Sequence, residues 1–372
     1  MSQKTCLRTY ASSPRIFGAR APKKAAENGP PPHLCGSGLF SLQRKVEKKA
    51  MKKRIVCFAL LLGLLLAGCG AKSPAPAPQP DPSPDAGTWP LTVTDGLDRE
   101  VTLASPPQRV AVMNASYAET WLLAGGTLVA AVHDAWEDFD LNLGPEVRDL
   151  GSGQKVSMEL LFETEADLVI ASSNTKSQVE LRETLEQAGM PVLYFTVNTF
   201  EDYLSMLSVC CAVTGRQDLY KQNGLEVQDQ IAAAVSAAEK AVAEKGAPTV
   251  LLLRTAASGI HAKGSKGTVL GVMLADLGCV NVADGSDLLE DLSIERIIEA
   301  DPEHVFIVVQ GNDAAGAEKT LEDALTGNPA WAGLTAVKEG RVHYMDRKLY
   351  HFKPNNRWGI AYAELEALLY EG

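Results

Sequence analysis

Residues 216–245 read RQDLYKQNGLEVQDQIAAAVSAAEKAVAEK and carry no pattern typical of a β-strand. Their apolar side chains recur at helical spacing and form one stripe. The residues of the stripe are Val227, Ile231, Val235, Ala238 and Val242. A helix of this length spans about 45 Å, although Gly224 weakens it by about 1 kcal/mol relative to alanine. We therefore predict one long helix within residues 215–246, which divides the rest of the chain into two parts.

The sequence on both sides of this helix alternates between short apolar strands and helices. Strands are predicted at 109–113, 128–132, 167–171 and 192–197 before it, and at 249–253, 305–309 and 341–345 after it. Helices are predicted at 117–123, 179–188, 268–277 and 356–370, and a β-hairpin around Asp95-Gly96 opens the first part. This alternation predicts βαβ units with mostly parallel sheets. We expect an α/β fold of two Rossmann-like lobes, residues 91–214 and 247–372, joined by the helix 215–246.

A short apolar run at residues 55–66 follows the basic residues 52–54 and ends in Leu66-Ala67-Gly68-Cys69. This layout is typical of a secretory signal peptide, which we assign to residues 51–68. The last four residues resemble the lipobox of bacterial lipoproteins, and this resemblance implies that Cys69 is lipidated and begins the mature chain. A transmembrane helix is the alternative, at the lower limit of a spanning length. The lipobox favours an extracytoplasmic protein that is lipid-anchored to the bacterial cell membrane.

The segments on either side of the signal peptide have no globular pattern. Residues 69–90 are rich in proline, which favours extended polyproline II structure, so we interpret them as a lipid-anchored linker that reaches about 60 Å. Residues 1–50 precede a signal peptide that is already complete from Met51. We interpret them as a disordered extension or the product of a wrongly assigned start codon; a genuine extended leader is the alternative.

The net charge is uneven along the chain. The first 68 residues carry 13 of the 35 Lys and Arg residues but 2 of the 46 Asp and Glu residues, so residues 69–372 have a formal charge of −22, from 22 basic and 44 acidic side chains. So acidic a surface argues against nucleic acid and against an anionic membrane face as partners. Besides Cys69 the mature chain has Cys210, Cys211 and Cys279, an odd number in apolar stretches, which indicates core residues rather than disulfides.

The sequence offers no enzyme motif. Residues 259–264 have the glycine spacing of a P-loop, but Ser265-Lys266 follows where Lys-Ser/Thr is needed, and residues 151–153 lack the third glycine of a dinucleotide fingerprint. The nucleophile elbow and the zinc-protease helix motif are missing as well. We therefore expect neither catalytic activity nor a cofactor. A secreted enzyme and an adhesin-like structural lipoprotein are the opposing classes.

One short pattern occurs once in each part of the chain. VSMELLFE at 156–163 and LSIERIIE at 292–299 each precede a predicted strand. Ser157 and Ser293 are natural N-caps, and Glu159 and Glu295 follow in the first turn, where the helix dipole favours negative charge. Capping alone would explain both glutamates, and a role outside the fold is the alternative.

The order of these features along residues 91–371, behind the lipobox, resembles the iron-chelate and vitamin B12 substrate-binding proteins of ABC importers. The resemblance is carried by Arg109-Val110, the Glu159 helix before Ala166-Asp167-Leu168-Val169-Ile170, the single linking helix, the Glu295 helix before Asp301-Pro302, and Pro329-Ala330-Trp331 followed by residues 336–342. It implies a class III periplasmic-binding-protein-like arrangement of two rigid lobes with a ligand cleft between them. It also implies docking onto an ABC permease dimer with its ATPase. In that family a glutamate on each lobe meets permease arginines, and Glu159 and Glu295 match those glutamates.

Ligands in open α/β lobes bind at the carboxyl ends of strands. From those ends we expect these ligand-binding residues: Tyr117, His133, Trp136, Asn174, Arg254, His261, Gln310, Arg347, Tyr350 and His351. The loop 152–155 is expected to join them. Seven of the 22 mature basic residues fall in second-lobe loops, which predicts a positive patch that attracts an anion. These seven are Arg254, Lys263, Lys266, Arg347, Lys348, Lys353 and Arg357; ordinary surface ion pairs are the alternative.

An anionic iron chelate suits this patch. Ferric siderophores and heme are anionic, arginine forks match carboxylate or catecholate oxygens, and the aromatic residues of the set would stack on a flat ligand. The histidines lack the close spacing of a bare metal site, which makes direct metal binding a minor alternative. His351 or Tyr350 as an axial ligand of chelated iron is favoured over it. We expect a small-molecule ligand, a ferric siderophore or similar iron chelate, with heme or cobalamin as the alternative.

Overall fold

The computed structural model describes residues 88–289 and 292–371. The chain divides into two units, Met1–Ala77 and Pro78–Gly372, and every described residue lies in the second. The expected extension 1–50, the signal peptide 51–68, Cys69 and most of the linker 69–90 therefore lie outside the described residues. In the part that is described, every helix is too short or too polar to cross a membrane.

Strands and helices alternate through the described chain. The strands are β1 (Leu91–Thr94), β2 (Glu100–Leu103), β3 (Val110–Val112), β4 (Ala130–Ala131), β5 (Arg148–Asp149), β6 (Gly151–Ser152), β7 (Lys155–Val156), β8 (Leu168–Ser172), β9 (Val192–Phe195), β10 (Thr249–Ala256), β11 (Gly259–Lys263), β12 (Val280–Asn281), β13 (His304–Val309) and β14 (Val342–Met345). The α-helices are α1 (Ala115–Leu123), α2 (Asp134–Glu137), α3 (Met158–Glu163), α4 (Lys176–Glu180), α5 (Arg182–Gln187), α6 (Phe200–Thr214), α7 (Gln217–Tyr220), α8 (Glu226–Lys245), α9 (Val269–Asp276), α10 (Ile294–Ala300), α11 (Ala314–Leu321), α12 (Thr335–Lys338), α13 (Arg347–Tyr350) and α14 (Trp358–Tyr370). Short 3-10 helices lie at Asp287–Leu289, Pro329–Gly333 and Asn355–Arg357, and π-helical turns at Lys221–Leu225 and Glu322–Thr326.

The first sheet has the strand order β5-β4-β3-β8-β9, and its strands are parallel. β3 and β8 are buried throughout, and Val110 pairs with Leu168. Parallel strands covered on both faces read as continuous apolar runs, so the predictions at 109–113 and 167–171 are confirmed. The predicted hairpin is also confirmed, with Val93 opposite Val101 in the antiparallel pair β1–β2.

The second sheet has the order β11-β10-β13-β14, with β12 paired to β10 off this path. Its pairs are parallel except for β11, which runs antiparallel to β10. The strand predicted at 249–253 is longer than expected. Its end at residue 253 is wrong, because β10 continues to Ala256 and the chain then turns back into β11. Arg254, His261 and Lys263 therefore lie inside a hairpin, with Arg254 opposite His261, and not in loops at a strand end. Residues 254–263 lack the continuous apolar run that marks a buried strand. Backbone hydrogen bonds between β10 and β11, and not an apolar sequence pattern, define this hairpin.

The connecting helix is present but not uniform. Gln217–Tyr220 and Glu226–Lys245 are α-helical, and a π-helical turn at Lys221–Leu225 joins them. Gly224 lies in that turn, where a Cβ would be 2.7 Å from a methyl carbon of Leu204 in α6. The glycine thus allows close packing of this helix on α6, which its low helix propensity alone does not reveal.

Two apolar cores hold the described chain together. The larger core surrounds the first sheet, and it also includes Val227 and Ala238 of α8 and Trp358 and Tyr362 of α14. The smaller core lies within the second half of the chain, around Ile307 of β13. The C-terminal helix α14 packs against α8, so it ties the second half of the chain to the first core.

Among the helices that differ from the prediction, two are informative. The helix expected at 179–188 is two helices, α4 and α5, with Leu181 between them. α6 is not predicted at all, because its residues are buried on most sides and show no polar stripe. A capping box between Thr199 and Asp202 marks its start and is the signal that could have found it.

The cysteines of the described chain are free thiols. Cys210 and Cys211 are buried in α6, and Cys279 is partly buried. Burial raises the pKa of Cys211 and of Cys279 to about 12, so both stay protonated at neutral pH. The prediction that the cysteines are core residues is confirmed for Cys210 and Cys211.

A histidine pair links β13 to β14. Nδ1 of His304 lies 3.1 Å from Nε2 of His343, and the ring of His343 stacks on Phe306 with centroids 4.8 Å apart. Burial, with the neighbouring His343 and Arg341, lowers the pKa of His304 to about 4, and burial also lowers the pKa of His343. Both rings are therefore neutral and structural at pH 7.

This pair predicts a loss of stability in mild acid. An unfolded histidine has a pKa of about 6.5, whereas His304 in the fold has a pKa of about 4. The folded chain binds fewer protons between these values, so the free energy of unfolding falls as the pH is lowered from about 6.5 to about 4. Urea unfolding at both ends of that window should show a smaller loss for His304→Phe than for the parent, while His261→Ala, at an exposed histidine, keeps the parent's loss. An equal loss in all three proteins would contradict this.

Candidate functional site

A cavity of about 280 Å³ lies where the first sheet meets the segment after α13. On one side it is lined by Met113 and Asn114 at the end of β3, by residues that follow β4, and by the loop 152–154. On the other side it is lined by His351, Phe352 and Lys353. The cavity thus lies at strand ends, and residues 152–154 of the expected loop 152–155 line it.

One buried glutamine fixes the floor of the cavity. Nε2 of Gln178 donates to the carbonyl oxygens of Met113 and Gly153, at 2.6 and 2.8 Å, and its Oε1 accepts from the backbone N–H of Ser172 at 2.8 Å. Three chain segments are thus held by one side chain. Because a buried amide with satisfied partners has little freedom to move, this side of the site is preorganised.

Two phenylalanines form the aromatic wall of the cavity. Phe139 follows α2 and Phe352 follows α13, and their ring centroids are 5.3 Å apart. The guanidinium carbon of Arg347 lies 4.7 Å from the centre of the Phe352 ring. Sequence reasoning missed both rings, although each lies within three residues of a residue that it selected, Trp136 and His351.

Polar contacts join the two sides of the cavity around this wall. Arg347 lies 3.3 Å from the carboxylate of Asp138 and donates to Gly311 O and Asn312 Oδ1, each at 3.0 Å. Lys348 pairs with Asp140. Arg347 therefore joins the two sides of the cavity through Nη1 and Nη2, while its buried Nε has no hydrogen-bond partner among the described residues.

A second set of polar contacts joins the segment just before α14 to helix α1. Nδ2 of Asn355 donates to Ser116 O at 3.0 Å and to Glu119 Oε2 at 2.5 Å, and Arg357 lies 3.2 Å from the same carboxylate. Burial raises the pKa of Glu119, which Arg357 opposes. Asn355 has a positive φ of 56°, a conformation that asparagine tolerates, so it also makes the turn into α14.

Three cations near the cavity have no counterion. The charged side-chain groups of Arg254, Lys263 and Lys353 form neither a hydrogen bond nor an ion pair with any residue that the structure describes. Burial lowers the pKa of all three, and the charge of Arg254 lowers the pKa of Lys263 and of Lys353 further. Like charges are thus held together without neutralisation, which an anion would relieve. Arg254 and Lys263 line a small crevice beside Tyr350, and Lys353 lines the main cavity.

His351 is the polar centre of the second side. Its Nδ1 is buried and has no hydrogen-bond partner among the described residues. Burial, and then the charges of Arg254, Arg347 and Lys353, lower its pKa to about 4. The imidazole is therefore neutral at pH 7.

The two tyrosines of the predicted site lie in the core. Tyr117 is 1% exposed, and its hydroxyl donates to Phe195 O at 3.0 Å. Tyr350 is 3% exposed, and its hydroxyl contacts Glu364 Oε2 at 2.9 Å. Neither ring lines the main cavity, so we leave both out of the proposed contacts.

Five further members of the predicted set lie away from the cavity wall. His133 is exposed and contacts Asp149 at 2.7 Å and Glu137 at 3.1 Å, and the hydrogen bond to Asp149 raises its pKa. The others are Trp136, partly buried against the larger core, Asn174, exposed and bonded to Asn198 at 3.0 Å, and the exposed His261 and Gln310. Of the predicted set, the structure brings His351 to the cavity wall and places Arg254 and Arg347 beside it.

The two glutamates of the repeated pattern are both exposed on short helices. Ser157 and Ser293 cap α3 and α10, and each hydroxyl accepts from a backbone N–H at 3.4 Å. Glu159 and Glu295 follow in the first turns. Within the described chain neither carboxylate has an ion pair or a hydrogen bond, so the serines do the capping and both carboxylates stay available.

Residues 88–289 and 292–371 contain no group of three or more His, Cys, Asp or Glu side chains placed to hold a metal ion.

Comparison with known proteins gives a consistent result. The sequence model described as "Periplasmic binding protein" matches residues 110–349. The chain is 21% identical over 296 residues to the Fe(3+)-citrate-binding protein YfmC of Bacillus subtilis (strain 168), covering 79% of this chain and 89% of the relative. It is 24% identical over 306 residues to the iron(3+)-hydroxamate-binding protein FhuD of the same organism, covering 79% and 90%.

Solved structures show the same fold. A periplasmic heme binding protein from Pseudomonas aeruginosa matches with a TM-score of 0.59 at 22% identity, over 72% of this chain and 94% of the other. The siderophore binding protein BauB, bound to acinetobactin and ferric iron, matches with a TM-score of 0.61 at 18% identity, over 76% and 99%. The predicted fold, two α/β lobes of the class III periplasmic-binding-protein type, is confirmed.

Proposed function

Because the chain belongs to the periplasmic binding protein family, we propose that it is the substrate-binding component of an ABC importer and that it captures an anionic iron chelate. The family consists of binding proteins and not of enzymes. Relatives named for ferric citrate and for ferric hydroxamate cover most of this chain's length. The permease dimer and its ATPase are the partners that such a component requires.

The observation that carries the proposal is the uncompensated positive charge beside the cavity. Arg254, Lys263 and Lys353 are partly buried and have no counterion in the described part of the chain. An anionic chelate would supply that counterion. Charge-assisted hydrogen bonds to oxygen are short and strong, which suits carboxylate-rich or catecholate ligands.

The size of the cavity favours a compact chelate. Ligand pockets usually enclose about 300 to 1,000 Å³, and this cavity encloses about 280 Å³. A ferric citrate-like chelate suits that volume better than a large macrocycle does. Phe139 and Phe352 would contact its apolar faces.

Heme is the second candidate, and one residue favours it. His351 lies at the cavity wall with a neutral imidazole, and its buried Nδ1 has no hydrogen-bond partner among the described residues. A neutral imidazole is the common axial ligand of heme iron. Since Tyr350 is in the core, His351 is the residue that would fill this role.

Titration of the purified protein distinguishes these ligands. Ferric citrate, a ferric trihydroxamate, hemin and cobalamin are each followed by tryptophan fluorescence, at low and at high sodium chloride. We expect the tightest binding for an anionic ferric chelate, weakened by salt because screening reduces charge attraction. Tightest binding of hemin, lost in His351→Ala, would favour the second candidate, and salt-independent binding of cobalamin alone would contradict both.

We further propose that the protein is extracytoplasmic and lipid-anchored. The family is periplasmic by name, and a B. subtilis relative, 25% identical over 312 residues, is named as an ABC transporter substrate-binding lipoprotein. The lipobox at 66–69 supports the anchor, with the proline-rich linker 69–90 as the spacer. Both lie almost wholly outside the described residues.

Replacement of the lipobox cysteine tests the anchor. Cys69→Ser should release the protein from the membrane fraction or leave its precursor unprocessed, as seen by fractionation and mass spectrometry of the N-terminus. Acyl chains contribute about 0.8 kcal/mol per buried methylene, so their loss removes the hold on the membrane. A cleaved mutant that remains membrane-bound would contradict the anchor, and Ser73→Ala is the matched control.

A further inference from the structure

We propose that Phe162 and Ile298 are a second, apolar pair of permease contacts, equivalent to each other and placed beside Glu159 and Glu295. The inference rests on the proposed function, because it assumes a permease as the partner. It adds to that function a named apolar contact on each half of the protein.

The two positions are equivalent in sequence and in structure. Each helix has an N-cap serine, a glutamate in its first turn and a large apolar residue three positions after that glutamate. Between them lies a residue that anchors the helix in the core, Leu161 in α3 and Ile297 in α10, each 0% exposed. The apolar residue that follows each anchor therefore points away from the core.

Both apolar side chains are more than one third exposed to solvent. Phe162 is 39% exposed and Ile298 is 40% exposed. A single exposed apolar side chain is ordinary in a soluble protein. Two at the same position of a repeated pattern, each one helical turn from an exposed and unpaired carboxylate, indicate a shared use.

The charges around these residues define the partner. A second glutamate follows each apolar residue, Glu163 in α3, 3.4 Å from Arg148, and Glu299 in α10. Each side chain thus sits between acidic neighbours, which complements an apolar socket ringed by basic residues. Two equivalent surfaces on one chain fit a partner with two equivalent sites, which is what a two-fold symmetric dimer offers.

Serine substitutions test the pair against matched exposed positions. Phe162→Ser, Ile298→Ser and the double variant are compared with the parent and with Val280→Ser and Ile360→Ser, which replace side chains that are 52% and 51% exposed elsewhere. Docking is measured as affinity for the cognate permease–ATPase complex in lipid nanodiscs. Ferric citrate affinity and the thermal unfolding midpoint are measured on the same proteins.

We expect each single variant to weaken docking about tenfold and the double variant about a hundredfold, as for central apolar contacts. The controls should dock like the parent, and ligand affinity and thermal unfolding should be unchanged in all variants. Unchanged docking of the double variant, beside a parent that docks, would overturn this inference and leave the proposed function intact. A parent that binds neither chelate nor permease would overturn the proposed function and the inference with it. Equal weakening in the controls would show a general apolar effect and would also overturn the inference.

Discussion

Reversing the charge of both exposed glutamates of the repeated pattern, Glu159→Arg with Glu295→Arg, should abolish iron uptake while leaving ligand affinity unchanged. Both carboxylates are exposed and form no ion pair within the described chain. They take little part in the fold, since first-turn dipole effects contribute only about 0.3–1 kcal/mol. Like charges placed against a basic permease surface cost several kcal/mol, so docking should weaken by more than about a hundredfold. Uptake of a radioactive ferric chelate by cells measures this, beside titration of the purified variant.

The control for this prediction carries the same change in net charge. Glu239→Arg with Glu244→Arg reverses two exposed carboxylates on the connecting helix and should transport normally. Normal transport by the variant at 159 and 295 would leave helix-end electrostatics as the whole role of these residues. Failure of the control as well would show that net charge, and not position, governs uptake.

Removing Arg254 should weaken binding of an anionic chelate more than removing an equally charged exposed residue. Arg254 is partly buried among Lys263, Lys353 and His351, and no described residue neutralises it. A charge-assisted contact to ligand contributes about 1.5–3 kcal/mol, so Arg254→Ala should reduce affinity about tenfold to a hundredfold. The salt dependence of binding should become shallower in the same variant.

Lys266→Ala is the matched control, because Lys266 lies just beyond β11 in the same hairpin region but is exposed. It should bind ferric citrate as the parent does. Equal losses at 254 and 266 would assign the effect to long-range charge. Unchanged ferric citrate affinity in both variants would show that the cluster of Arg254, Lys263 and Lys353 does not bind the anion.

Much of the fold is predictable because buried parallel strands leave a strong pattern. The runs around Val110, Leu168 and Val305 are apolar without interruption, and each becomes a central strand. The hairpin β10–β11 is not predictable in this way, since its polar residues carry no strand pattern and its backbone pairing decides its structure. The π-helical turn at Gly224 is equally hidden, because it depends on how closely the helix approaches α6.

The position of the candidate site in the fold can be predicted from the sequence, but only some of its residues can. Strand ends and the loop 152–154 lie at the cavity as expected, because topology alone puts them there. Which side chains face the cavity depends on helix phase and on neighbours: Tyr117 turns into the core, whereas Phe139 and Phe352 turn toward the ligand space. The pairing of Arg347 with Asp138 likewise joins residues distant in sequence.

Native mass spectrometry of the protein purified from its own bacterium under iron limitation would identify the ligand that it carries. We expect a one-to-one complex whose added mass contains one ferric chelate with a net negative charge, and whose occupancy falls in Arg254→Ala but not in Lys266→Ala. A bound ligand without iron, or a neutral ligand held equally by both variants, would contradict it.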